Sequence, residues 1–226
     1  MENKENNLSE FLVRSISSVF IVGIQLAFIY LFNNLWSAVF LFVLAIFMSF
    51  EWSEMTITAT NRNKFALLDV IYVSFTLLPM LFVKNMVSIN GNHLLMWIFI
   101  FIWSVDTFAY ICGKVLDLGR HKITKISPKK SYEGLIAGAL GAMLCGYIFS
   151  SIFLPDLKVI LLITTPLLAI IEQLSDIIES AIKRKFNVKD SGHIIPGHGG
   201  FLDRFDGFLL TVPAVIIVVE LFLHLN

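Results

Sequence analysis

Hydrophobic residues lie in long, almost uninterrupted segments of this chain, and polar residues are concentrated in the stretches between them. A helix needs about 20 mostly apolar residues to cross the hydrocarbon core of a bilayer, because each residue adds about 1.5 Å. Seven segments approach or exceed that length: 11–32, 35–50, 65–83, 93–113, 134–154, 157–182 and 208–225. The pattern therefore predicts an all-α integral membrane protein with about seven transmembrane helices.

Composition and charge agree with this class. Of the 226 residues, 57% are hydrophobic and 15% are charged, whereas a soluble domain averages about 25% charged residues. The formal net charge is zero, so the bulk charge gives no indication of a nucleic-acid partner. The sequence has no internal repeat and no linker long enough to separate domains. We therefore expect one polytopic membrane domain over residues 1–226.

The basic residues are distributed unevenly between the two sides of such a protein. With seven spans, the N-terminus and the loops 51–64, 114–133 and 183–206 lie on one side. Of the seventeen Lys and Arg residues, only Lys84 and Lys158 fall on the other side. Because cytoplasmic loops carry an excess of Lys and Arg, we expect a multi-pass protein of the cytoplasmic (inner or plasma) membrane. Its N-terminus and three large loops would then be cytoplasmic.

The fifth predicted span is rich in small residues. Gly134, Gly138 and Gly141 recur at spacings of four and three residues. Small residues at such spacings allow two helices to approach closely, and they could also ease insertion into the membrane.

Carboxylates interrupt the apolar pattern near the ends of two predicted helices. Asp106 lies near the end of the fourth span. On the sixth span, Glu172, Asp176 and Glu179 follow each other at i, i+4 and i+7, which places them on one face. Their mutual repulsion must be offset, either by lysine pairing such as Lys183 with Glu179 or by a bound divalent cation. Ionisable residues at membrane depth are costly and point to function.

Two further aspartates, Asp203 and Asp206, precede the last span and are three residues apart. They could be helix N-terminal charges that favour the helix dipole. They could also join carboxylates of the sixth helix around Mg²⁺, which prefers hard oxygen ligands and substrate phosphates. The sequence has no cysteine cluster and no paired-histidine motif, which argues against zinc.

The segment 180–206, SAIKRKFNVKDSGHIIPGHGGFLDRFD, is polar and rich in glycine. Gly197, Gly199 and Gly200 could expose backbone N–H groups to an anion, as phosphate-binding loops do. His198, between them, could contact a phosphate or cap the turn. The surrounding basic residues favour phosphate binding: Lys183, Arg184, Lys185, Lys189 and Arg204.

A second polar cluster lies in the loop before the fifth span and comprises Ser127, Lys129, Lys130 and Ser131. Its lysines could anchor the protein to anionic lipid head groups, or the cluster could bind a polyphosphate. Two cationic clusters, several carboxylates and a glycine-rich loop are together the parts of a metal-assisted phosphoryl or nucleotidyl transferase.

These segments resemble the signature of the phosphatidate cytidylyltransferases, also called CDP-diacylglycerol synthases. The resemblance is carried by SAIKR at 180–184, KDSG at 189–192, PGHGG at 196–200 and DRFD at 203–206. It extends upstream to DTFAY at 106–110, SPKKSYEG at 127–134 and SDIIES at 175–180. Residues 106–207 would then carry the catalytic segments and residues 1–105 would be mainly scaffold spans.

The resemblance implies the reaction of CTP with phosphatidic acid to give CDP-diacylglycerol and pyrophosphate for phospholipid synthesis. It implies Mg²⁺ as the cofactor and a polar active site that faces the cytoplasm. The partners would be CTP, phosphatidic acid and membrane lipid, with no nucleic acid, and a homodimer is a further possibility.

The resemblance also implies roles for individual residues. The catalytic residues would be Asp176, Asp203, Lys183, Arg184, Lys189 and Arg204. The substrate-binding residues would be Ser127, Lys129, Lys130, Ser131, Gly197, His198, Gly199 and Gly200. The metal ligands would be Asp176, Asp203, Asp206 and Asp106.

Three alternatives differ in class. A relative could use CTP with another lipid, as a polyprenol kinase or a CDP-archaeol synthase does. An ion or phosphate transporter would place its carboxylates along a pathway near the bilayer midplane, whereas here the charges gather at one end. A catalytically inactive assembly partner would have lost site residues, and the residues named above are present.

Overall fold

The computed structural model describes residues 16–225 apart from positions 58, 60, 197 and 198. Within these residues the chain is helical, and its only β-type pairings are two isolated bridges. The helices are α1 (Ile16–Leu31), α2 (Asn34–Met55), α3 (Arg62–Lys84), α4 (Gly91–Tyr110), α5 (Tyr132–Phe153), α6 (Lys158–Lys185), α7 (Leu202–Phe205) and α8 (Phe208–Leu225). The last turns of α1 and the extension of α4 over Ile111–Val115 are π-helical. The prediction of an all-α protein is confirmed.

The number of spans agrees with the prediction of about seven. Six helical segments in the described ranges are long and apolar enough to cross a membrane: α2, α3, α4 with its extension, α5, α6, and α7 together with α8. The described part of α1 is apolar but about 24 Å long, against a hydrocarbon core of about 30 Å. The first predicted span starts at residue 11, and residues 11–15 lie outside the described residues.

The predicted bounds of the polar loop, 51–64, are wrong at both ends. Helix α2 continues to Met55 and α3 already begins at Arg62. The charge of Glu51 does not end α2, because its carboxylate is fully buried and accepts hydrogen bonds from the protein.

The chain divides into two compact units. The first unit comprises Met1–Ser74 and Lys183–Phe205, and the second comprises Phe75–Ile182 and Asp206–Asn226. The prediction of one membrane domain over the whole chain stays a prediction.

The core of the second unit is built around α4. Half of the most apolar window of α4 is buried, against 28–39% in the other candidate spans, so α4 is the central helix of this unit. Trp97 on α4 donates a hydrogen bond from Nε1 to the carbonyl of Gly146 on α5 at 3.1 Å. On the other side, the rings of Phe99 and Phe208 of α8 lie 4.9 Å apart.

The small residues of α5 allow this helix to lie against α4. Gly134, Gly138 and Gly141 are all buried. A Cβ atom added at Gly138 would lie 2.8 Å from the carbonyl oxygen of Val105, and one added at Gly141 would overlap the ring of Phe108. The close-packing interpretation of these glycines is therefore confirmed.

In the first unit, α2 carries the aromatic side chains that hold its neighbours. Trp52 donates from Nε1 to the carbonyl of Phe65 at 2.9 Å, and its ring lies 5.5 Å from that of Tyr72. The ring of Phe47 stacks on Phe201 at 5.3 Å. Helix α2 thus contacts both the first half of α3 and the segment that leads into α7.

We predict that Gly138→Ala destabilises the protein by about 1–3 kcal/mol, because the added methyl group meets backbone atoms that cannot move cheaply. Gly23→Ala in α1 is the matched control, since nothing lies within 4 Å of a Cβ atom at that position. The control should be neutral or stabilising by up to about 1 kcal/mol. Denaturant unfolding in detergent micelles measures both, and equal effects would contradict the packing account.

Candidate active site

A cavity of about 480 Å³ lies in the second unit where α4, the loop 116–131, α5 and α6 meet. Asp106 of α4 and Asp176 of α6 both line this cavity. The loop contributes the predicted substrate-binding residues Ser127, Lys129, Lys130 and Ser131. Ligand cavities typically measure about 300–1,000 Å³, so the space is sufficient for a small ligand. The structure therefore brings α6 next to the continuous stretch formed by α4, the loop and the start of α5.

The loop 116–131 is fastened to the start of α5. The backbone N–H of His121 donates to both carboxylate oxygens of Glu133 at 3.2 Å, and the His121 ring nitrogen Nδ1 lies 2.5 Å from Glu133 Oε1. Ser131 is the N-cap of α5 and accepts a hydrogen bond from Gly134 N at 3.1 Å. Ser131 therefore has a structural role as a cap, and it also lines the cavity.

Lys130 and Lys129 are adjacent in sequence but differ in environment. Lys130 is 10% exposed at its side chain, forms an ion pair with Asp176 and donates to the carbonyl of Gln173 at 3.3 Å. This fixes the loop to α6. Lys129 is exposed and lines the cavity, so its ammonium group is available to an anionic ligand.

Three carboxylates of the second unit meet beside the cavity. Asp176, Glu179 and Asp206 each offer one oxygen atom, and these atoms all lie within 4.8 Å of one another. Asp206 is held in place because its carbonyl accepts a hydrogen bond from Ser175 Oγ. Asp176 is also held, since Ser180 Oγ donates to its Oδ1 at 3.2 Å.

This carboxylate cluster fits a divalent cation. Glu179 is 3% exposed, and burying several like charges together is costly unless positive charge compensates them. Lys130 supplies one positive charge to the cluster, because its ammonium group forms an ion pair with Asp176. Hard oxygen donors from α6 and from the turn before α8 are the ligand type that Mg²⁺ prefers. The cluster contains two of the predicted metal ligands, Asp176 and Asp206, and Asp106 lines the adjoining cavity.

Asp203 has different partners in the first unit. Its Oδ1 accepts from Lys183 Nζ at 2.6 Å, and the two side chains are 7% and 10% exposed. Its Oδ2 accepts from the backbone N–H groups of Ser191 and Gly200, both at 2.9 Å. Both oxygens of Asp203 therefore bind the protein itself.

A carboxylate that the sequence analysis did not single out lies in the same unit. Glu51 of α2 is 0% exposed. Its Oε1 accepts from Phe201 N at 2.8 Å, and its Oε2 accepts from Leu202 N at 3.0 Å and from Ser191 Oγ at 3.2 Å. The available signal was an acidic residue directly after the apolar run 35–50. The segment it contacts, however, is about 140–150 residues away along the chain.

The other predicted residues of segment 183–206 that the structure describes are exposed cations and glycines. Arg184, Lys189 and Arg204 are exposed, and Arg184 donates to the carbonyl of Val188 at 2.8 Å. Gly199 has φ +85° and a Cβ there would lie 2.8 Å from Asp203 Oδ2, so glycine is required by both conformation and space. The predicted substrate-binding residues Gly197 and His198 lie outside the described residues.

Known proteins resemble this chain over most of its length. A model of the cytidylyltransferase family matches residues 65–222. The phosphatidate cytidylyltransferase of Rickettsia bellii (strain RML369-C) is 38% identical over 229 residues, which cover 97% of this chain and 95% of the relative. That of Rickettsia felis is 38% identical over 209 residues, covering 87% and 88%. That of Staphylococcus haemolyticus is 37% identical over 181 residues, covering 76% and 66%.

We predict that Asp203→Asn and Lys183→Met each lower the free energy of unfolding by about 3–5 kcal/mol, because each leaves a buried charge without its partner. The double variant should lose much less than the sum of the two single losses. Lys185→Met, at an exposed lysine on the same helix, is the control and should change stability by at most about 1 kcal/mol. Additive losses in denaturant unfolding would contradict a direct pair.

Proposed function

The chain belongs to the cytidylyltransferase family, and on that premise we propose that it transfers the cytidylyl group of CTP to phosphatidic acid. The products are CDP-diacylglycerol, for phospholipid synthesis, and pyrophosphate. The observation that carries this proposal is the cavity of the second unit, where the ammonium group of Lys129 and the carboxylate of Asp176 line one space. The near full-length similarity to phosphatidate cytidylyltransferases supports it.

The proposed reaction requires positioning and charge neutralisation more than proton transfer. An oxygen of the lipid phosphate attacks the α-phosphorus of CTP, the new O–Pα bond forms, and the bond from Pα to the bridging oxygen of pyrophosphate breaks. The attacking oxygen is already anionic, so no strong general base is needed. Electrostatic stabilisation is the main contribution of the protein in such transfers.

The residues of the second unit suit this chemistry. The exposed Lys129, which lines the cavity, would contact a phosphate there, whereas Lys130 would position Asp176 through their ion pair. Asp176, Glu179 and Asp206 would hold Mg²⁺. When bound, this ion would neutralise charge that develops on the departing pyrophosphate. In the first unit, the exposed Lys189 and Arg204 are further candidates for phosphate contact.

The protein is a multi-pass membrane protein by the length and apolarity of its helices. We assign it to the cytoplasmic membrane, with the loops 114–133 and 183–206 in the cytoplasm, because these loops carry most of the basic residues and CTP is a cytoplasmic nucleotide. The excess of Lys and Arg on that side supports this orientation.

The assay that tests the proposed function supplies the purified protein with phosphatidic acid and CTP labelled at either the α- or the γ-phosphate. We expect the α-label to enter the lipid and the γ-label to leave as pyrophosphate, and we expect both to require Mg²⁺. Transfer of the γ-label to a lipid would instead identify a CTP-dependent lipid kinase. No transfer of either label to phosphatidic acid would overturn the proposal.

We predict that Asp206→Asn abolishes the stabilisation of the protein by Mg²⁺ and lowers turnover at least about 100-fold, because the proposed cation site loses a charged ligand. The amide preserves the shape of the side chain. Asp156→Asn, at an exposed aspartate outside the cluster, is the control. The measurement is the unfolding temperature in detergent with and without Mg²⁺, alongside activity. A Mg²⁺-induced rise that survives in Asp206→Asn would remove this residue from the site.

A further inference from the structure

Glu51 is a buried charge at the end of a membrane helix, and nothing in the proposed reaction uses it. Its side chain is 0% exposed. Taking a carboxylate out of water costs several kcal/mol unless hydrogen bonds compensate it. Glu51 receives three hydrogen bonds at 2.8–3.2 Å, all from the segment 191–202. The energetic balance of this carboxylate therefore depends on the conformation of that segment.

Two glycines of the segment leave the space that the Glu51 side chain occupies. A Cβ atom added at Gly192 would lie 2.9 Å from Glu51 Cγ, and one added at Gly200 would lie 2.5 Å from Glu51 Oε2. Both glycines are buried. Their lack of a side chain permits the close approach of the Glu51 carboxylate, which itself binds the N–H groups of Phe201 and Leu202.

A second carboxylate fastens the same segment. Asp203 binds the N–H groups of Ser191 and Gly200, and Lys183 neutralises it. Ser191 connects the two carboxylates, since its N–H donates to Asp203 and its Oγ donates to Glu51. The segment is thus held at both of its ends, at Ser191 and at residues 200–202.

The attachment points lie next to exposed cations. Lys189 is two residues before Ser191, and Arg204 is two residues after Leu202. Both side chains are exposed, and both are candidates for phosphate contact. A change in the backbone at either attachment point would move a cation, and a displacement of about 1 Å can cost about 100-fold in rate.

We propose that Glu51 is a positioning residue of the transfer reaction, which fixes the backbone at residues 191 and 201–202 so that the flanking cations Lys189 and Arg204 meet a substrate phosphate. This inference rests on the proposed cytidylyl transfer. It assigns to α2, in the half of the chain expected to be mainly scaffold, a direct part in the geometry of the reaction.

The test is Glu51→Gln, which keeps the size of the side chain but turns an NH₂ group towards backbone donors. We expect kcat/KM to fall about 10- to 100-fold. We also expect the KM for CTP or for phosphatidic acid, each varied with the other saturating, to rise about tenfold. The reason is that displaced cations bind the substrate phosphate less well. Glu54→Gln, at an exposed glutamate of the same helix, should leave both constants unchanged.

These constants separate positioning from a purely structural role. Loss of folded protein alone lowers the apparent kcat but leaves both KM values as they were, and that result in Glu51→Gln would overturn the inference. Unchanged kinetics would overturn it too, while wild-type activity would leave the proposed function intact. Wild-type protein without cytidylyl transfer would instead refute the proposed function.

If Glu51→Gln does not fold, Ser191→Ala removes one of the three hydrogen bonds. Ser191→Ala should raise the KM for CTP or for phosphatidic acid about threefold or more. If both KM values stay unchanged, the inference is overturned.

Discussion

Burial of carboxylates at the ends of apolar helices is the constraint on which the rest of this structure depends. A charged side chain that leaves water needs an opposite charge or several hydrogen bonds, or the fold loses several kcal/mol. Glu51, Asp203 and Asp176 are all largely buried or paired in this way. Each carboxylate binds a segment that is distant along the chain, by hydrogen bonds or by an ion pair. These contacts determine where the loops lie.

The two units satisfy this constraint differently. In the first unit, Glu51 and Asp203 are compensated within the protein, by backbone N–H groups and by the ammonium of Lys183. In the second unit, the carboxyl groups of Asp176, Glu179 and Asp206 lie together, and Lys130 pairs with Asp176. The first arrangement is complete in itself and builds structure. The second suits an added cation, which is why the chemistry is assigned to it.

The sequence was sufficient for the apolar cores of the helices and for part of the site. Apolar length predicts the spans, because it follows from the thickness of the bilayer, and the spacing of glycines predicts the contact of α5 with α4. Helical spacing also predicts that Asp176 and Glu179 share a face, as their cluster requires. Glu51 could not be found in this way. Its partners are 140 to 151 residues away, and no local pattern reports a contact at that separation.

The backbone N–H groups of the glycine-rich segment bind other partners than the motif predicts. Its glycines were expected to present N–H groups to a substrate phosphate. In the structure, the N–H of Gly200 binds Asp203, and those of Phe201 and Leu202 bind Glu51. At Gly200, Phe201 and Leu202, carboxylates of the protein therefore accept the N–H groups that an anion could otherwise bind. Among the described residues of the segment, the exposed cations Lys189 and Arg204 are candidates to meet a phosphate. A fixed backbone lowers the entropy that a long, flexible cation loses when it binds a phosphate, and the two buried carboxylates hold the backbone next to Lys189 and Arg204.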